Sequence, residues 1–419
     1  MYEIIPVNNL KLIFSRLEKV ETSSLGVFLR VGSRLEPEKV KGIAHFIEHM
    51  VFKGSKNYSH RRIKQEIEGR GGLLNAYTSQ EITAYYANFL KKNFAKTLDI
   101  LLDMVNRPLF KPIDIDKERK VILQEIKMYN DLPASRAVTL LEGLLWKGHA
   151  LGEDVIGRVE TVNDINRSDL NNFRNKYYLP ATTVISFCGD ISKEEVLQNL
   201  KGKIYETKAR VSLDTAKPKG LRNLSVITER KDLEQTHLCV GFRSLPWISR
   251  RRFVLRLINV ILGANMSSRL FEELREKASL CYDISTEVRS YHDSGAFLIH
   301  LGLEVSKVTT ALSAILKELD KLKAKEVGAR ELLRAKDFLL GQIAMGLEIP
   351  QGRMEHFAQS YINFGKISSF AELKRSITEV SAGQIKQLAR EIFDFGRICV
   401  SCVGNLKPDT NGKIKALLA

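Results

Sequence analysis

Short apolar runs alternate along this chain with longer amphipathic stretches, a mixture that predicts strands and helices interleaved. Residues 10–14 and 24–31 alternate or run apolar as strands do, joined by a mostly polar connection. A turn over residues 32–37 and the segment 38–42 lead into a helix that ends near Gly54. Residues 62–70 predict a short helix stopped by Gly71 and Gly72. Residues 73–78 and 82–87 read as a strand pair around Ser79-Gln80-Glu81. Helix follows over 94–105, and Pro108 and Pro112 break the chain before a second helix over 116–128. More helix runs to about residue 177, and 183–188 is a strand ending in Gly189-Asp190.

The second half repeats this plan. Residues 238–244 parallel 27–33, and the helix–strand unit 271–286 parallels 64–79 at an offset of about 207. The closing strand 398–403 with Gly404-Asn405 echoes 184–188 with Gly189-Asp190. Such self-similarity predicts an α+β protein made by internal duplication, each domain a mostly antiparallel sheet packed with helices. The expected domains are residues 1–210 and 224–419. Residues 211–223, rich in Lys, Pro and Gly and without periodicity, read as a linker.

Composition narrows the function classes. With 44% apolar and 27% charged residues the chain is an ordinary globular protein, and 419 residues exceed a single core. The start of the chain has no basic segment followed by an apolar run, and no run of about 18 apolar residues predicts a membrane span. The net charge of +16 raises the question of nucleic acid, but the basic residues are interleaved with acids and no recognition motif accompanies them. The expectation is a solvated basic surface with no specific nucleic-acid partner. The five cysteines are odd in number and sit mostly in apolar strand-like runs. Cys399 and Cys402, three apart in a strand, face opposite sides and suit neither a metal nor a redox pair. Buried thiols of this kind fit a reducing, cytoplasmic setting.

The chemistry gathers at Ala44-His45-Phe46-Ile47-Glu48-His49-Met50. On a helix, His45 and His49 lie on one face about 40° apart, and Glu48 falls beside them. Two imidazoles projecting together suit zinc, and a nearby carboxylate suits a general base. The order is the inverted form of the commoner His-Glu-x-x-His signature. On the helix over 116–128, Glu118 and Glu125 share a side with Ile122 and Ile126. Carboxylates on an apolar-flanked face call for a counter-charge such as a metal.

The run from His45 to Ser55 closely resembles the active-site segment of the pitrilysin-type (M16) metallopeptidases. The resemblance implies one zinc per chain held by His45, His49 and Glu125, which stands 76 residues after His49. Water would fill the fourth position, Glu48 would be the general base, and Glu118 a supporting acid. Residues 74–83 also look like that family, in which this strand lines the site; Asn75 and Ala76 would contact substrate backbone by strand addition. Arg275 and Tyr282 match the family's Arg and Tyr seven residues apart and would hold substrate and support the tetrahedral intermediate. The chain is similar to the shorter M16 members, such as the β subunit of mitochondrial processing peptidase and its bacterial relatives. Their likeness implies an endopeptidase for short or unfolded peptides, working in a chamber completed by a second copy or a related M16 chain. A non-catalytic partner subunit is the alternative. Members that have lost the chemistry usually lose the metal motif, which is intact here.

Overall fold

The computed structural model describes residues 2–205, 209, 211–213 and 215–418. Arg210, at the expected end of the first domain, and Asp214, inside the expected linker, lie outside the described residues. The described residues between 209 and 223 form neither helix nor strand.

The chain folds into two compact units, and the α+β class is observed in both. The first unit comprises Met1–Lys127, Asp154–Thr215 and Met345–Ile367. Its sheet contains β1 (Glu3–Val7), β2 (Leu10–Arg16), β3 (Thr22–Leu29), β4 (Leu73–Thr78), β5 (Thr83–Leu90) and β6 (Thr183–Gly189). The spatial order is β1-β2-β6-β3-β5-β4, with β2 and β6 parallel and every other pair antiparallel. Leu25, Val27 and Leu29 of β3 face the main core, while Phe28 faces a second cluster on the opposite side. That second face is covered by helix Pro350–Phe364, which contributes Met354, Phe357 and Ala358. Burial on both faces explains why residues 24–31 read as a continuous apolar run rather than a clean alternation.

The second unit comprises Met128–Glu153, Ala216–Ala344 and Ser368–Ala419. Its strands are β7 (Ser225–Arg230), β8 (Thr236–Ser244), β9 (Cys281–Ser290), β10 (Gly295–Leu303) and β11 (Cys399–Gly404), in the order β7-β11-β8-β10-β9. Here too one neighbouring pair, β7 and β11, is parallel and the rest are antiparallel. This is the order of the first sheet without β1, so the repeat in the sequence is a repeat of topology. Helix Pro133–Leu145 covers one face through Ala137, Leu141 and Leu145. Each sheet is therefore backed by a helix drawn from the other half of the chain. All five cysteines are unpaired and buried; Cys399 and Cys402 lie in clusters on opposite faces of the second sheet. Among the described residues no helix is long and apolar enough to cross a membrane.

Two close approaches fix the loops around the first sheet's edge. Gly32 has no room for a side chain, because a Cβ there would meet the Ser79 carbonyl oxygen at 2.2 Å. Ser33 and Arg34 donate their N–H groups to the carbonyls of Ser79 and Gln80, and Arg34 pairs with Glu81 at 2.6 Å. The β4–β5 hairpin is thereby tied to the loop that enters the histidine helix.

Candidate metal centre

The sequence motif folds as helix Ile43–Val51, and its apolar residues decide which face is left over. Ile43, Ala44, Phe46, Ile47, Met50 and Val51 are buried, so His45, Glu48 and His49 occupy the remaining face. The helix starts at Gly42, in the left-handed region at φ 93°. A buried carboxyl group replaces the usual capping side chain: Glu36 accepts the N–H groups of Gly42 at 2.9 Å and Ala44 at 2.8 Å. Burial pushes the Glu36 carboxyl up to about 8, against the pull of these two N–H groups and Lys41. Its neutral form is thus favoured by folding, and its stabilising contribution declines as pH rises from 4.5 towards 8. Thermal melts across that range should show the advantage of wild type over Glu36→Gln shrinking as pH rises; a constant difference would contradict it.

The second carboxylate-bearing element is helix Pro112–Asp131, which buries Ile115, Glu118, Ile122 and Ile126. Glu125, one residue before Ile126, points at the histidines. Its Oε2 lies 3.5 Å from His49 Nε2 and 3.9 Å from His45 Nε2. One donor atom from each of these three residues falls within 4.8 Å of the other two. On the far side of the His49 ring, Nδ1 lies 3.2 Å from Glu118 Oε2, and Lys53 Nζ lies 2.5 Å from Glu118 Oε1. A carboxylate on Nδ1 keeps the proton there and leaves Nε2 as the donor nitrogen facing Glu125.

Electrostatics favours a cation at this point. Burial opposes the charged form of His49, but Glu118 and Glu125 outweigh it and push the group up to about 9, so that without metal Nε2 also carries a proton, which a bound cation would displace. Burial, with the charge of His49 beside it, pushes His45 down to about 4, leaving a neutral imidazole. Two imidazoles and a carboxylate converging from two helices form an N,N,O donor set suited to zinc, with Glu118 as the orienting partner. Zinc fits the residues present.

Glu48 stands on the same helix face and is held by the edge strand: the Thr78 hydroxyl donates to its Oε2 at 2.5 Å. Burial raises the Glu48 pKa, opposed by that hydrogen bond and by His49. Asn75 and Ala76 lie on β4 itself, which is paired only with β5 among the described strands. Asn75 is exposed, and its Oδ1 accepts the N–H of Ala76 at 2.8 Å. Arg275 and Tyr282 belong to the second unit. Arg275 lies on a wide helical turn, Phe271–Lys277, with its guanidinium 4.6 Å from the Phe271 ring centre and 6.0 Å from that of Tyr282. Tyr282, near the start of the edge strand β9, is 75% exposed.

Three participants were not singled out from the sequence: Glu36, Lys53 and Thr78. Lys53 follows His49 by four residues, a spacing that could have flagged it. Thr78 shares strand β4 with Asn75 and Ala76, so its place at the site followed from the strand. Nothing in the pattern around Glu36 marks a buried cap.

Comparison with known proteins agrees with this geometry. Residues 11–158 match the model of the insulinase family, peptidase family M16, and residues 164–339 match that of the peptidase M16 inactive domain. The chain is 32% identical over 403 residues to an uncharacterized zinc protease, YmxG, of Bacillus subtilis, covering 95% of this chain and 98% of that one. It is 33% identical over 388 residues to an uncharacterized zinc protease of Rickettsia bellii, covering 92% and 93%. In fold it is similar to the crystal structure of a protease from Helicobacter pylori, with a TM-score of 0.91 at 21% identity, covering 96% of this chain and 99% of that one. Matched along nearly its whole length by such relatives, and carrying the inverted histidine motif on a sheet-backed helix, the chain belongs to peptidase family M16.

Proposed function

We propose that the protein is a zinc-dependent endopeptidase for short or unfolded peptides. The observation that carries this reading is the convergence of His45, His49 and Glu125, with Glu48 held beside them by the edge strand. His45, His49 and Glu125 would hold the zinc, one ion per chain. Zinc, when bound, supplies a Lewis acid that acidifies a water and draws charge from a carbonyl oxygen. Glu48 takes a proton from the attacking water as its oxygen bonds to the scissile carbonyl carbon. The same carboxyl then returns the proton to the amide nitrogen as the C–N bond breaks. Glu118 keeps the proton on His49 Nδ1. An extended peptide is placed alongside β4 by strand addition, with Asn75 and Ala76 meeting its backbone. By resemblance to the family, Arg275 and Tyr282 hold substrate, and a second M16-type subunit completes the chamber. Five unpaired cysteines support a reducing, cytoplasmic location.

Thr78 positions Glu48 in this scheme. Thr78→Val should lower kcat by about tenfold with zinc content unchanged, and Thr78→Ser should retain activity. The substrate class is tested by incubating the purified protein with quenched short peptides, an unfolded polypeptide and the same polypeptide folded. Cleavage of the first two and not the third is expected. Cleavage of none, with zinc bound, would favour a non-catalytic partner subunit.

A further inference from the structure

The second sheet carries different chemistry at the place that matches the metal centre. Helix Arg252–Leu262 follows β8 as Ile43–Val51 follows β3, and each packs on the edge strand of its own sheet. In the first unit the edge-strand hydroxyl of Thr78 reaches the side chain of Glu48. In the second, the hydroxyl of Thr286 on β9 reaches the backbone carbonyl of Asn259 at 3.2 Å. Asn259 is thus the helix residue that the edge-strand hydroxyl reaches, through its backbone carbonyl where Glu48 is reached through its carboxylate. Arg256 and Val260 flank Asn259 at the spacing at which His45 and His49 flank Glu48.

Arg256 is half-buried and lacks a counter-charge. No ion pair or hydrogen bond joins it to another described residue; its one contact of note is the Trp247 ring, 5.8 Å from the guanidinium to the ring centre. Burial, and the like charge of Arg252, hold its pKa below the ordinary arginine value. Other arginines of the same unit are matched: Arg269 pairs with Glu331 at 2.7 Å, Arg251 with Glu391 at 2.7 Å, and Arg289 with Glu142 and Glu287. One turn along the helix, Asn259 Oδ1 is buried without a partner. Turning that amide by half a rotation presents Nδ2 there as a second donor. A guanidinium partly withdrawn from water without an anion is under-satisfied, and its planar fork matches a carboxylate with two parallel hydrogen bonds.

We propose that Arg256, Trp247 and Asn259 form a binding pocket for a peptide carboxylate, either a C-terminus or an Asp or Glu side chain. This deepens the peptidase reading and rests on it for the identity of the ligand as a peptide. Arg256 supplies the charge and the bidentate hydrogen bonds, Trp247 orients the guanidinium plane, and Asn259 adds a donor.

The test is a binding measurement, made on the full-length Glu48→Gln protein so that turnover does not consume the probe. A fluorescent pentapeptide with a free C-terminus, its C-terminally amidated form, and an amidated form with an internal Glu are titrated by anisotropy. The free-carboxylate or Glu-bearing peptide should bind about tenfold more tightly than the amidated one without Glu. Which of the two gains identifies the source of the carboxylate. Arg256→Gln should erase the difference and Arg256→Lys should retain part of it, with thermal melts showing both variants folded. Equal binding of all three peptides, or a preference that survives Arg256→Gln, would overturn the proposal. A carboxylate preference in a protein whose wild type cleaves nothing would leave the pocket standing and reject the peptidase reading.

Discussion

Glu48→Gln is expected to bind zinc as the wild type does and to lose peptide turnover by at least about 10²-fold. The amide keeps the size of the carboxylate and can still accept the Thr78 hydroxyl, so helix Ile43–Val51 and its three donor groups stay in place. What disappears is the capacity to take a proton from water and return it to the leaving nitrogen. Parallel measurement of zinc by mass spectrometry and of peptide turnover separates these outcomes. A variant that turns over peptide at the wild-type rate would remove Glu48 from the chemistry. A variant that loses zinc would mean that Glu48 acts on the metal centre rather than on the water.

Glu125→Gln has the opposite signature, with metal lost first and activity in consequence. Glu125 is the one donor contributed by helix Pro112–Asp131, and its Oε2 approaches both imidazoles. A neutral amide removes the negative charge from an N,N,O set that would otherwise carry a single compensating anion, since Glu118 is engaged by Lys53 and His49. Zinc affinity should fall by at least about 10²-fold, judged against the 10–100-fold cost of losing an outer partner. Competition with a chelator of known affinity measures it. Glu118→Gln should cost less, because it removes an orienting partner and not a donor. Equal zinc affinity of Glu125→Gln and wild type would exclude Glu125 from the donor set.

Much of this arrangement was legible because helical and strand periods are short-range. The spacing of His45, Glu48 and His49 places them on one helix face without knowledge of the tertiary fold, and the structure puts them on the one face that apolar residues leave open. Glu125 needed more. The sequence placed it on an apolar-flanked helix side, but only resemblance singled it out from other helix acids. The sequence predicts a break at Pro112 before a helix starting near residue 116, whereas Pro112 is the helix's first residue, where its missing N–H costs nothing. Strand β1 has no counterpart among the predicted strands; it contains Pro6 and pairs on one side only, as an edge strand can. The exchange of backing helices was illegible for a different reason. An amphipathic pattern over Pro133–Leu145 states that one side is buried but not which sheet buries it. Arg256 is not legible as a site in the sequence because an arginine inside a helix that follows a basic cluster reads as surface charge; its lack of a partner is visible only once its neighbours are placed.

The most direct test of the central claim is a zinc titration of the chelator-stripped protein, with turnover of a quenched peptide as the readout. The account predicts no turnover without metal, a rise in proportion to added zinc, and a plateau at one equivalent per chain. Turnover by the stripped protein, or a protein that binds one zinc per chain at this centre and cleaves no peptide, would contradict it.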